Sequence, residues 1–150
     1  LGMLGYADPD GTIAIYRKPA RPHTAATEFE LSKITDFSRV DIVASYAGAD
    51  GVAIDAAVNA GAKAVVIATF APGLLTPSQR QAVERALAQD VVIVFSSRAG
   101  SGRVQRRESM RKRGIIAADN LNPQKARILL MLALTVTDDR AELQRMFDEY

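Results

Sequence analysis

Residues 64–95 open with Ala64-Val65-Val66-Ile67-Ala68, pass through Thr76-Pro77-Ser78-Gln79, and close with Val91-Val92-Ile93-Val94-Phe95. The two outer runs are apolar at every position but too short for helices. Strands buried on both faces, as in the middle of a parallel sheet, read this way. The middle motif is a capping box with proline at the first helical position, so it predicts a helix running to about Gln89. A strand, a helix and a strand joined by short connections form a parallel pair with a right-handed crossover.

The same alternation extends in both directions. Upstream, Val40-Asp41-Ile42-Val43-Ala44-Ser45 is a short apolar strand. Asp50-Gly51 opens an alanine-rich helix that ends at Gly61, with Asp50 as a cap and Gly61 as a left-handed stop. Downstream, Ile115-Ile116-Ala117 is a weak fourth strand. Asn122-Pro123 caps a helix from Gln124 to Thr135 that is apolar nearly all round, which predicts burial. Asp139 and Glu142 suggest a further capping box, and Leu143, Met146, Phe147 and Tyr150 fall on one helical face. The expected fold is α/β: a small doubly wound parallel sheet of about four strands flanked by helices, Rossmann-like or flavodoxin-like, over residues 40–150. Residues 1–39 read instead as an interdomain linker and edge strand. The strand is Thr12–Tyr16, entered through Asp8-Pro9-Asp10-Gly11, and Pro19-Ala20-Arg21-Pro22-His23-Thr24 is extended because proline blocks regular pairing.

Composition narrows the function classes. The chain has 150 residues, 48% of them hydrophobic and 24% charged, the balance of one folded domain with a core of its own. There is no cysteine, which removes disulfides, thiolate zinc sites and thiol nucleophiles but assigns no compartment. The formal charge is only +2, so any basic signal must be local. No apolar run reaches the ~18 residues of a membrane span. Leu1-Gly2-Met3-Leu4-Gly5-Tyr6 lacks the features of a signal peptide and reads like the middle of a longer chain.

Ligands of open parallel sheets bind beyond the carboxyl ends of the strands. The loops leaving those ends are Tyr46–Asp50, Thr69–Leu75 and Ser96–Gly102. In the third, Ser96, Ser97, Ser101 and the glycines could face an anion beside Arg98, although neither phosphate-loop pattern is present. Residues Arg103 to Arg113 carry six basic side chains in eleven. They could form a nucleic-acid footprint or a solvated loop, and no aromatic residue is interleaved for base stacking. His23 is the only histidine and lies among prolines, so neither a zinc site nor a Ser/His/Asp set is legible. Asp50 and Asp55 are explained by helix capping and solvation. No cofactor is called for.

Residues 122–134, Asn-Pro-Gln-Lys-Ala-Arg-Ile-Leu-Leu-Met-Leu-Ala-Leu, resemble the capped, buried helix near the end of bacterial asparaginases and glutaminase-asparaginases. Leu4-Gly5-Tyr6, Pro19–Thr24, Val40–Val43 before Ser45-Tyr46, Ser96-Ser97-Arg98 and Met146-Phe147-Asp148-Glu149-Tyr150 follow that family in the expected order. The resemblance implies the second of two α/β domains of an enzyme that hydrolyses the side-chain amide of L-asparagine or L-glutamine. It also implies a homo-oligomer, dimer or tetramer, in the periplasm or the cytoplasm. The threonine nucleophile and its Thr-Lys-Asp set would lie in an N-terminal domain outside these residues, leaving the chain inactive by itself.

The family's second domain reaches the neighbour's active site with a Glu that binds the substrate α-amino group, and the resemblance carries that role to Glu108. It carries no catalytic residue and no metal. A Gly-x-Gly-Asn-Gly loop of the family is replaced by Thr69-Phe70-Ala71-Pro72-Gly73-Leu74-Leu75-Thr76, with Leu74 read in place of the polar residue, which leaves Thr76 to take over that contact or the contact missing. Phe70 and Leu74 could instead meet a partner subunit. Two rival readings are a stand-alone, non-catalytic binding or regulatory module and a nucleic-acid-binding domain using Arg103–Arg113.

Overall fold

The computed structural model describes residues 3–150; Leu1 and Gly2, the first part of the stretch read above for a signal peptide, lie outside the described residues. The main sheet has four parallel strands in the order β3 (Val40–Ala44), β4 (Ala64–Thr69), β5 (Val92–Ser97) and β6 (Ile116–Ala117). Every residue of β4 and β5 is buried, as their uninterrupted apolar runs require.

Alternation across the strands separates two cores. Val43, Val65, Ile67, Ile93 and Phe95 face α1 (Val52–Asn59) and α2 (Pro77–Ala88), where they meet Ile54, Ala82, Val83 and Ala86. Val40, Ala64, Val66, Val92, Val94 and Ile116 face α4 (Pro123–Ala133) and α5 (Arg140–Glu149), where Leu130, Leu143, Met146 and Phe147 fill the layer. Each large side chain buried this way contributes about 1.5–3 kcal/mol. Helices cover both faces, as expected. The strand order nevertheless runs in one direction without reversal. The sheet therefore has no switch-point crevice, and its carboxyl end is an open rim.

Local chemistry fixes the helix ends. Thr76 Oγ1 accepts from Gln79 N at 3.1 Å, Asn122 Oδ1 from Lys125 N at 2.9 Å, and Asp139 Oδ1 from Ala141 N and Glu142 N at 2.9 Å. Replacing Asn122→Ala should lower stability by about 1 kcal/mol, read as a shift of the urea midpoint at unchanged slope. Gly61, at φ +85°, closes α1 as expected. The helix read as apolar nearly all round is only half covered: Leu129 and Leu130 are buried, whereas Ile128 is exposed.

Residues 3–39 hold more structure than a linker with an edge strand. β1 (Gly5–Ala7) and β2 (Ile13–Ile15) pair antiparallel as a separate two-stranded hairpin and do not join the main sheet. The intervening turn closes through Gly11 N donating to Asp8 O at 2.9 Å. Between two short 3-10 turns at Thr24–Ala26 and Leu31–Lys33, the segment is anchored on α5 and Tyr150. Phe29 packs 5.2 Å from the Tyr150 ring. Glu28 accepts from Arg145 Nη2 at 2.8 Å. Hydrogen bonds from Arg145 to Glu142 and Glu28 raise its already high pKa further.

Candidate functional site

The rim is built where β3, β4 and β5 end. Ser45, Thr69, Ser96 and Ser97 are all buried there. Ser45 Oγ donates to Gln79 Oε1 at 2.6 Å, and Gln79 Nε2 donates to Ala44 O at 3.2 Å. Thr69 Oγ1 donates to Ser96 O at 3.0 Å, and Ser96 Oγ donates to Leu121 O at 2.7 Å. Ser97 Oγ accepts from Ala99 N at 3.1 Å. Each hydroxyl serves the fold, because a buried polar group must be paired. The capping box is thus only half made: Thr76 caps Gln79, but the Gln79 side chain turns inward to β3.

Arg98 ties the three strand ends together. Its backbone N donates to Thr69 O at 3.1 Å, its Nη1 donates to Ser45 O at 2.7 Å, and its guanidinium carbon lies 4.3 Å from the Phe70 ring centroid. Arg98 thus commits Nη1 and one guanidinium face to the fold, although the residue stays exposed. Ser96 spends its proton on Leu121 O, whereas Ser97 Oγ only accepts, from Ala99 N. Ser101 and Gly100 line a cleft of about 230 Å³ with Lys125. Arg98→Ala should cost about 1–2 kcal/mol, the scale of one charge-assisted hydrogen bond discounted for solvent exposure. It should also speed proteolytic cleavage within residues 69–75, and both are measurable on the purified chain.

The 70–74 loop is a tight, closed turn. Phe70 N donates to Leu74 O at 3.1 Å, and Leu74 N donates to Phe70 O at 2.8 Å. The Ala71–Pro72 peptide is cis, and Gly73 takes φ +104°, a conformation that favours glycine. A side chain at Gly73 would also stand 3.2 Å from Val104 Cγ1. Leu74, read in place of the family's polar residue, is exposed, and its backbone closes this turn. Neither Pro72 nor Leu74 has a side-chain donor or acceptor. Thr76, offered as a substitute, is engaged: its Oγ1 donates to Ala49 O at 2.6 Å.

Glu108 begins α3 (Glu108–Arg111) and is exposed. Its Oε2 accepts from Arg111 Nε at 2.9 Å and Nη2 at 2.6 Å, and Lys112 Nζ lies 3.8 Å from Oε1. In this state it is a counter-ion to its basic neighbours. Its backbone is held near the 70–74 loop, because the adjacent Arg107 donates from Nη2 to Pro72 O at 2.8 Å.

Most of the basic run is engaged with protein groups, though three carboxylates face its six cations. Arg103 pairs with Asp119, Arg107 with Pro72 O, Arg111 and Lys112 with Glu108, and Arg113 with Glu84. Among the described residues, only Arg106 of the six lacks a partner. A nucleic-acid footprint needs cations free for phosphates, so this pairing disfavours that reading. Asp119 also accepts from Arg21 Nη2 at 2.8 Å, joining the first segment to this loop. His23 is exposed, and its Nδ1 lies 3.4 Å from Thr24 Oγ1. Among the described residues, no group of three or more His, Asp or Glu side chains could hold a metal. Asp50 Oδ1 accepts from Val52 N at 3.1 Å, and Asp55 pairs with Arg85 at 2.6 Å, raising the arginine's pKa by hydrogen bonding. No described helix is long and apolar enough to cross a membrane.

Residues 39–147 match the family model described as Glutaminase/Asparaginase C-terminal domain. The chain is 40% identical over 144 residues to L-asparaginase 2 of Bacillus subtilis (strain 168), covering 93% of this chain and 38% of that protein. It is 38% identical over 151 residues to L-asparaginase 2 of Escherichia coli (strain K12), covering 99% of this chain and 43% of that protein. The crystal structure of a probable cytoplasmic L-asparaginase from Campylobacter jejuni superposes with a TM-score of 0.91 at 39% identity, covering 98% of this chain and 48% of that one. The chain thus spans less than half the length of each of these relatives.

Proposed function

Because the chain belongs to the glutaminase/asparaginase C-terminal domain family, we propose that it completes the substrate pocket of an L-asparaginase-like amidohydrolase and helps to build its oligomer. The parent reaction is hydrolysis of L-asparagine, or L-glutamine, to the acid and ammonia. The observation that carries this reading is the match of family model and fold over nearly the whole chain. The chemistry is divided. A hydroxyl nucleophile with its base, and donors for the oxyanion, would belong to the N-terminal domain of the parent enzyme. This chain supplies a carboxylate for the substrate's ammonium group across a subunit contact, in a dimer or tetramer.

Glu108 is assigned that role. Its partners Arg111 and Lys112 are exposed and mobile on the scale of side-chain rotation, so exchanging them for a substrate ammonium requires no backbone change. The rim, lacking a switch-point crevice, fits a site closed by a second domain. The test joins the B. subtilis L-asparaginase 2 segment preceding the matched stretch to this chain and measures steady-state kinetics. Glu108→Ala should raise KM for L-asparagine by about 10- to 100-fold, the scale of a lost charge-assisted hydrogen bond. Glu108→Gln should fall between. Unchanged KM in both variants would remove Glu108 from the pocket.

A further inference from the structure

A cavity of about 150 Å³ lies behind the 70–74 loop, closed on one side by Gly73, Leu74 and Leu75. Its floor is the core itself: Val83, Phe95, Met110 and Ile115, each at most 6% exposed. Its mouth is cationic, with Arg80, Arg107 and Arg113 around it and no carboxylate in the lining. Arg113 is balanced from outside by Glu84, and Arg107 reaches Pro72 O. Among the described residues, the Arg80 guanidinium has no hydrogen-bond or ion-pair partner. Glu108 does not line this space, since its carboxylate is turned to Arg111.

We propose that this cavity binds a small organic anion with an apolar body: a short-chain aliphatic or aromatic monocarboxylate. The floor would take the hydrocarbon and Arg80 the carboxylate, in the bidentate geometry that guanidinium offers. Size limits the ligand, because drug-sized molecules occupy roughly 300–1,000 Å³. An amino acid is a poor fit, because its ammonium group would enter a mouth of like charge that has no acidic partner. The ligand class is therefore not that of the amide substrate, and the proposal stands whether or not the amidohydrolase reading holds. Occupancy would compete for Arg107 and free the loop at Pro72, which couples the cavity to the rim.

The test uses the 150-residue chain as it is. Sodium benzoate and sodium butyrate are titrated while the methyl resonances of Met110 and Ile115 are followed, with benzyl alcohol as the neutral counterpart of benzoate. Saturable shifts at these methyls are expected, and benzyl alcohol should bind about tenfold more weakly for want of the charge-assisted bond. Arg80→Gln, at an exposed helix position, should weaken benzoate by a similar factor, and Ser109→Phe at the mouth should abolish the shifts. No saturation by roughly 10 mM would overturn the proposal. So would equal affinity for benzoate and benzyl alcohol, or undiminished binding in a folded Arg80→Gln chain.

Discussion

Incubated alone with L-asparagine or L-glutamine, this chain is expected to release ammonia no faster than buffer does. Acyl transfer needs a hydroxyl activated by a neighbouring base, and enzymes lower such barriers enough for at least ~10⁶-fold acceleration. Four hydroxyls at the rim donate to groups that cannot take a proton, and Ser97 Oγ accepts from a backbone N–H, with no base bonded to it among the described residues. Thr69 and Ser96 donate to backbone carbonyls, and Ser45 donates to the Gln79 amide oxygen. Thr76 likewise donates to a carbonyl, that of Ala49. The one imidazole, His23, is exposed in the first segment beside Thr24. A coupled assay for ammonium on purified chain checks this, and sustained turnover would show a catalytic arrangement these residues do not form.

The second large effect is on the fold. Phe147→Ala should destabilise the domain by about 3–5 kcal/mol, the loss of a large aromatic plus the cavity left behind. Phe147 is fully buried and fills the layer between α5 and the sheet, beside Leu143 and Met146. Domains of this kind have about 5–15 kcal/mol in total. The variant should therefore unfold at a much lower urea concentration, or be largely unfolded at 37 °C. Ile128→Ala, on the exposed face of α4, removes a side chain of similar character yet should stay within about 0.5 kcal/mol. A loss at Ile128 as large as that at Phe147 would contradict the open face of α4.

The parallel sheet was legible because β4 and β5 carry unbroken apolar runs, and the caps because Thr76, Asn122 and Asp139 act through neighbours three residues away. What local pattern could not show is long-range pairing. β1 is three residues long with one glycine, so its pairing with β2 depends on the turn between them and not on periodicity. The rim was harder still. The bond from Arg98 to Ser45 joins residues 53 positions apart, and that from Arg107 to Pro72 joins residues 35 apart. Gln79 was a readable exception. It shares a helical stripe with Ala82, Val83 and Ala86, all buried, and a polar residue on such a stripe needs an inward partner. The ion pair of Glu108 with Arg111 was visible as a three-residue spacing, whereas a role toward substrate is not a property of spacing at all.

The most direct measurement is ammonia release from L-asparagine by the chain alone and by the same chain joined to the N-terminal segment of a relative, both verified as folded. Turnover by the joined protein, with none from the chain, is the predicted result. Turnover by the chain alone, or a folded joined protein that stays inert, would contradict the division of labour proposed here.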